Sequence, residues 1–176
     1  MYKCTLVLMA AFLLVASGSS MAEEEMIEFA TVTLSDTSVY EGTFKNGVFD
    51  GMGTLTWKNG NKYKGDFKDG LQHGDGIYTF ANGDEYRGEF RKGEIEGKGV
   101  YTYTNGDKYA GDFKDGLQYG SGTYTFANGD KYKGEFQSGR MHGEGVYIYE
   151  NGDRYEGEFQ NGMIDGKGKY IYADEN

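Results

Sequence analysis

Aromatic residues and glycines alternate with polar residues through most of this chain, and they do so in one frame. Tyr40, Tyr63, Tyr86, Tyr109, Tyr132 and Tyr155 recur every 23 residues, and each opens the same phrase. It reads Tyr-x-Gly-x-Phe, two residues, Gly, three residues, Gly-x-Gly, then two aromatics one residue apart and a turn. In the second repeat these positions are Tyr63, Gly65, Phe67, Gly70, Gly74, Gly76, Tyr78, Phe80 and the turn Asn82-Gly83-Asp84. A strand repeats its facing every two residues, so Tyr63, Gly65 and Phe67 share one face of a strand, and Gly74, Gly76, Tyr78 and Phe80 share one face of the next. Lys68-Asp69-Gly70 turns the chain inside the repeat and Asn-Gly-Asp turns it between repeats, with glycine supplying the positive φ that tight turns require. Each repeat is therefore predicted to be a β-hairpin, and the series an antiparallel meander.

Glycine inside a strand normally weakens it, but these glycines share a face with large rings, so a ring from one strand can lie over the bare backbone of its neighbour. Four columns per repeat carry the large groups, and 23 of the 24 positions are aromatic, the exception being Leu55. These columns form the predicted core. The fold class that follows is all-β: an elongated single-layer antiparallel β-meander, a rolled sheet or solenoid, of six hairpin repeats spanning 40–62, 63–85, 86–108, 109–131, 132–154 and 155–176. Residues 65–86 and 111–132 differ at only four positions, a sign of growth by duplicated modules.

Residues 23–39 are read as a linker and capping strand: Ile27 to Leu34 fit the frame, with Val32 and Leu34 at the aromatic positions and Glu28 and Ala30 at the glycines. At the other end Ala173-Asp174-Glu175-Asn176 replaces a complete turn, so the last strand is predicted to leave an open edge. At roughly 4.8 Å per strand the body extends about 60 Å.

The first 22 residues differ from all that follow. One cation, Lys3, precedes the apolar run Leu6 to Ala16 and a stretch of small residues, without an acid. This reads as a secretory signal peptide cleaved before Glu23, with cleavage after Gly18 as the alternative, or a membrane anchor if it stays uncleaved. The chain's one cysteine, Cys4, lies inside that segment, so the mature protein has no thiol and forms no disulfide. The expected location is secreted or periplasmic. A formal charge of −10, or −11 once Lys3 is removed, repels nucleic acid and anionic membrane at long range.

Tyr-x-Gly-x-Phe-x-x-Gly-x-x-x-Gly-x-Gly at 23-residue spacing over residues 40–176 resembles the MORN (membrane occupation and recognition nexus) repeat. The resemblance implies a rolled β-meander that serves as a scaffold, dimerisation module or adaptor. Relatives sometimes carry catalytic domains such as lipid kinases or methyltransferases, which this sequence does not show. It also implies phospholipid or phosphoinositide headgroups as an alternative ligand, against which the acidic charge weighs.

Catalytic chemistry finds little support. His73 and His142 occupy the same repeat column as Tyr119 and Glu96, with no third residue to orient them. Gly-x-Gly lies mid-strand and lacks the helix that a phosphate loop opens. Asp84, Asp107, Asp130 and Asp153 form a column, but successive members stand about 10 Å apart, too far for one calcium ion, and Asn-Gly-Asp is also turn chemistry. The expectation is a non-enzyme without cofactor or metal, whose partner is a protein or a second copy of itself, a homodimer included, and not nucleic acid. Two candidate contact sites remain. One is the open edge Gly166, Lys167, Gly168, Lys169, Tyr170, Ile171 and Tyr172, although Lys167 and Lys169 can instead discourage pairing. The other is the column Tyr78, Tyr101, Tyr124, Tyr147 and Tyr170, which is either core or a groove ladder with hydroxyls left for a partner.

Overall fold

A computed structural model describes residues 26–173, so the signal-peptide reading of residues 1–22 lies outside the described residues. The strands are β1 (Ile27–Thr33), β2 (Val39–Lys45), β3 (Val48–Thr56), β4 (Lys62–Lys68), β5 (Leu71–Thr79), β6 (Glu85–Arg91), β7 (Glu94–Thr102), β8 (Lys108–Lys114), β9 (Leu117–Thr125), β10 (Lys131–Gln137), β11 (Arg140–Ile148), β12 (Arg154–Gln160) and β13 (Met163–Ile171). They form one sheet in sequence order, each antiparallel to the next. The meander read from the 23-residue period is the observed architecture.

The turns follow from residue type. Asp69 and Gly70 both have positive φ, 51° and 83°, which gives the two-residue hairpin turn whose twist suits the flanking strands. At the other turn the Asn82 carboxamide oxygen accepts the N–H of Asp84, and the Phe80 N–H donates to the Asp84 carbonyl.

One element departs from simple alternation. Gly65 pairs with Gly76, but the next residue, Asp66, pairs with His73, so Gly74 and Asp75 are extra on β5 and Gly74 takes φ +58°. On its other side β5 stays regular, with Gly74 opposite Phe90 and Gly76 opposite Gly88. The side chain on the shorter strand supports this bulge: Glu89 Oε1 accepts the Lys98 N–H at 3.1 Å and Asp112 Oδ2 accepts that of Ser121 at 3.2 Å.

The core is a single file of rings on one face. Tyr40, Tyr63, Tyr86, Tyr109 and Tyr132 are completely buried although the sheet has one layer. Each ring lies on the backbone of two glycines, and each hydroxyl donates to a main-chain carbonyl three residues on, as Tyr63 does to Asp66 at 2.8 Å. Phenylalanines join the tyrosines edge-to-face. Phe67 stands 5.1 Å from Tyr63 in its own repeat and 5.1 Å from Tyr40 in the one before; Phe90 stands 4.8 Å from Tyr63. This geometry suits the ring quadrupoles and runs unbroken from Phe44 to Tyr155.

Candidate functional site

The second pair of aromatic columns forms a parallel ladder, half-buried where the first is fully buried. Trp57, Tyr78, Phe80, Tyr101, Tyr103, Tyr124, Phe126, Tyr147 and Tyr149 follow one another at centroid distances of 4.4 to 6.0 Å, all tilted.

The hydroxyls of Tyr78, Tyr101, Tyr124 and Tyr147 are bonded within the chain, which accords with the core reading of this column more than with the alternative of donors left for a partner. Tyr101 donates to Asp84 Oδ2 at 3.1 Å, Tyr124 to Asp107 at 2.8 Å and Tyr147 to Asp130 at 2.8 Å. The other oxygen of each aspartate accepts a main-chain N–H from the following turn, that of Thr104, Ala127 and Glu150 respectively. Each aspartate thus clasps its own turn to the next. In the first repeat Asn61 does the same work, donating to the Tyr78 hydroxyl and accepting the Ala81 N–H, both at 2.8 Å.

The clasp leaves its mark on the titration of both partners. The Thr104 N–H and the Asn82 amide hold Asp84 below the ordinary carboxylate range, and the Tyr147 hydroxyl does the same for Asp130. Desolvation is the largest influence on Asp107 and opposes this, but the Ala127 N–H and the Tyr124 hydroxyl outweigh it and the net direction is again down. Burial first, and then the bond to the carboxylate, push the hydroxyls of Tyr101, Tyr124 and Tyr147 up. The aspartate column, weighed for calcium and read from the sequence as turn chemistry, also ties each turn to the next, and among the described residues no three His, Cys, Asp or Glu side chains are grouped to hold a metal ion.

Tyr170 breaks rank with the ladder. Asp153 receives the N–H of Ala173 and the amide of Asn151, but no tyrosine hydroxyl. Tyr170 instead lies 4.9 Å from the ring of Tyr155 and is half exposed. The rest of the predicted edge is where the register put it. Gly166 occupies the bulge, Gly168 lies under the Tyr155 ring, Lys167 and Lys169 are exposed on the opposite face, Ile171 pairs with Arg154 and Tyr172 follows the strand. Among the described residues β13 pairs with β12 alone, and β1, the capping strand, pairs with β2 alone. Among the described residues the sheet therefore has two outermost strands paired on one side only, where the sequence pointed to one such edge.

The sequence model of the MORN repeat matches residues 40–62, 63–85, 86–108, 109–131, 132–154 and 155–176. This chain belongs to the MORN repeat family. No curated protein matches it. Solved structures similar to this MORN-repeat chain include the G-box domain of the microcephaly protein CPAP, 17% identical over 81% of this chain and 79% of that one, at a TM-score of 0.47. The TCP domain of SAS-4 (dCPAP) of Drosophila melanogaster, solved with a proline-rich motif of Ana2 (dSTIL), is 12% identical over 90% and 97%, at 0.43. The TCP10c domain of Drosophila melanogaster Sas-4 is 15% identical over 84% and 81%, also at 0.43.

The charged face of these MORN repeats holds an open concavity of about 840 Å³, lined among others by His73, Glu89, Arg91, Asp112, Lys114 and Tyr119. Its carboxylates Glu89 and Asp112 are the ones that accept the bulge N–H groups. His73 sits in register opposite Asp66, and His142 opposite Glu135. Among the described residues neither histidine is held by a third group in the arrangement a general base requires.

Proposed function

We propose that this MORN-repeat protein is an exported, non-catalytic interaction scaffold that acts in a secreted or periplasmic compartment. The observation that carries this reading is a sheet whose large rings and turn carboxylates are spent on holding neighbouring repeats together, while among the described residues the outermost strands β1 and β13 each pair on one side only. A body built this way offers length and edges, and its partner is a protein or a further copy. Export is supported by the charge, apolar run and small residues of positions 1–22.

The test has two readouts. Edman or mass-spectrometric sequencing of the protein recovered from its native compartment should begin at Glu23, and an intact Met1 overturns export by cleavage. Light scattering of the wild-type and Tyr170→Pro chains should show association that the proline abolishes, with the circular dichroism of the remaining repeats retained. Association unchanged by the proline removes β13 as the contact strand.

A further inference from the structure

We propose that copies of this chain join head to tail by strand exchange, β13 of one copy taking the place of β1 along β2 of the next. The proposal rests on the scaffold reading and names its partner. It starts from what the last repeat lacks. In each of the first five repeats the core tyrosine receives an edge contact from the phenylalanine of the following repeat, at 5.1, 4.8, 4.9, 4.7 and 4.7 Å from Tyr40 to Tyr132. Among the described residues Tyr155 has no such phenylalanine, and Tyr170 lies against its ring instead. Among the described residues the hydroxyl of Tyr155 is the one buried side-chain polar atom without a hydrogen-bond partner, whereas the five tyrosines before it donate to carbonyls of their own repeats, so without the flanking phenylalanine this ring is seated differently from the rest. The other end lacks the counterpart. Among the described residues Phe44 meets Tyr40 and Phe49 but has no tyrosine on its β1 side.

The strands that carry these two residues are complementary in register. Within the sheet, every Gly-x-Gly-x-Tyr strand is followed by a Tyr-x-Gly-x-Phe strand in one fixed alignment, as Gly143, Gly145 and Tyr147 face Phe159, Gly157 and Tyr155. Laid on β2 in that alignment, Gly166 of β13 faces Phe44, Gly168 faces Gly42 and Tyr170 faces Tyr40. The native occupant β1 fits less well. Glu28 stands opposite Phe44 where the other repeats have glycine, Ala30 opposite Gly42, and Val32 opposite Tyr40. On its other face Ile27 and Phe29 remain 69% and 68% exposed.

Charge selects this pairing over a symmetric one. In the exchanged register Lys169 faces Glu41 and Lys167 faces Thr43. A two-fold pairing of β13 with itself centred on Gly168 sets Lys167 against Lys169 twice, and one centred on Lys169 sets that lysine against its own copy; like charges directly opposite are unfavourable. A heterologous contact that does not close propagates, so the product is a concentration-dependent series and not a dimer alone.

The experiment uses the full chain with its one cysteine removed by Cys4→Ser, carrying Glu41→Cys and Lys169→Cys together. Both positions are exposed, so folding is not at stake. They sit near opposite ends of the 13-stranded sheet, roughly 50 Å apart, whereas a disulfide needs Cα atoms within about 7 Å, so no bond forms inside one molecule. Mild oxidation should give a reducible ladder of dimers, trimers and higher species on a denaturing gel, and neither single variant should give one. No ladder from the double variant overturns the exchange, and a dimer from Lys169→Cys alone overturns it in favour of a symmetric edge. Native mass measured on the same samples separates the two readings. Association without a ladder sinks the exchange and leaves the scaffold reading standing, while a monomer that also captures no other protein sinks both.

Discussion

The ring of Tyr63 lies flat on the backbone of Gly76, so close that a Cβ built there falls 2.6 Å from its Cζ. The two residues sit on neighbouring strands, and the same relationship joins Tyr86 to Gly99 and Tyr109 to Gly122. This contact is how a one-layer sheet buries a tyrosine completely. Gly76→Ala forces the ring off its seat and breaks its edge contacts with Phe67 and Phe90, a cost of about 2–3 kcal/mol. A chemical denaturation midpoint unchanged by this substitution contradicts the account. Gly116 is the contrast. Nothing lies within 4 Å of a Cβ built there, but φ is +77°, so Gly116→Asn should be nearly neutral because asparagine tolerates the left-handed region.

Asp107 ties two turns together through the Tyr124 hydroxyl and the Ala127 N–H. Asp107→Ala leaves both donors without their acceptor and should lower the thermal midpoint by about 2–4 °C. Asp107→Asn should keep most of the tie, since Asn61 makes the same two links in the first repeat. Equal loss in the two variants would place the effect in charge and not in the clasp.

The clasp also fixes the response to acid. Asp84, Asp107 and Asp130 are held below their ordinary value, so each contributes stability that is fully present above about pH 3.9 and is lost as pH falls toward its lower folded value. Melting temperature should therefore be flat with respect to these groups from pH 7 to about 5, then fall steeply below about 4. Asparagine at all three positions should flatten the fall. An acid limb that keeps its steepness in the triple variant assigns the sensitivity elsewhere.

The repeat length, hairpins, turns and core columns were legible because each rests on a pattern of period two inside a period of 23, and chance does not put every glycine from Gly42 onward in five columns. The bulge at Gly74 was not. Two extra residues preserve the parity of the strand, so Gly74, Gly76 and Tyr78 alternate in the same way with the bulge or without it. The clasp escaped for a different reason. Asn-Gly-Asp is fully accounted for by turn chemistry, and the Asp84–Tyr101 bond joins side chains 17 residues apart on neighbouring hairpins. The one available signal was that each repeat with an aspartate in the turn has a tyrosine at that offset. The second open edge was hidden because β1 caps β2 on its inner side, which says nothing about its outer side.

The acidic balance bears on lipid as a ligand. At −10 for the whole chain, vesicles rich in anionic lipid should retain no more protein on flotation than neutral ones, at low or physiological salt. Salt-sensitive retention by the anionic vesicles would favour headgroup binding over the protein-scaffold reading.

Two tyrosines in the same column should respond in opposite ways to loss of the hydroxyl. Tyr132 donates to the carbonyls of Glu135 and His142 at 3.0 and 3.1 Å, so Tyr132→Phe leaves buried acceptors unmatched and should cost about 1–2 kcal/mol. The Tyr155 hydroxyl is buried with no partner, and Tyr155→Phe removes a desolvated polar atom while keeping the ring on Gly168 and against Phe159. That substitution should be neutral or stabilising when measured on the monomer by urea denaturation at low protein concentration. If Tyr155→Phe costs as much as Tyr132→Phe under those conditions, the hydroxyl has found an acceptor among the carbonyls of its own repeat, as the five tyrosines before it have, and the account of an unpartnered hydroxyl fails.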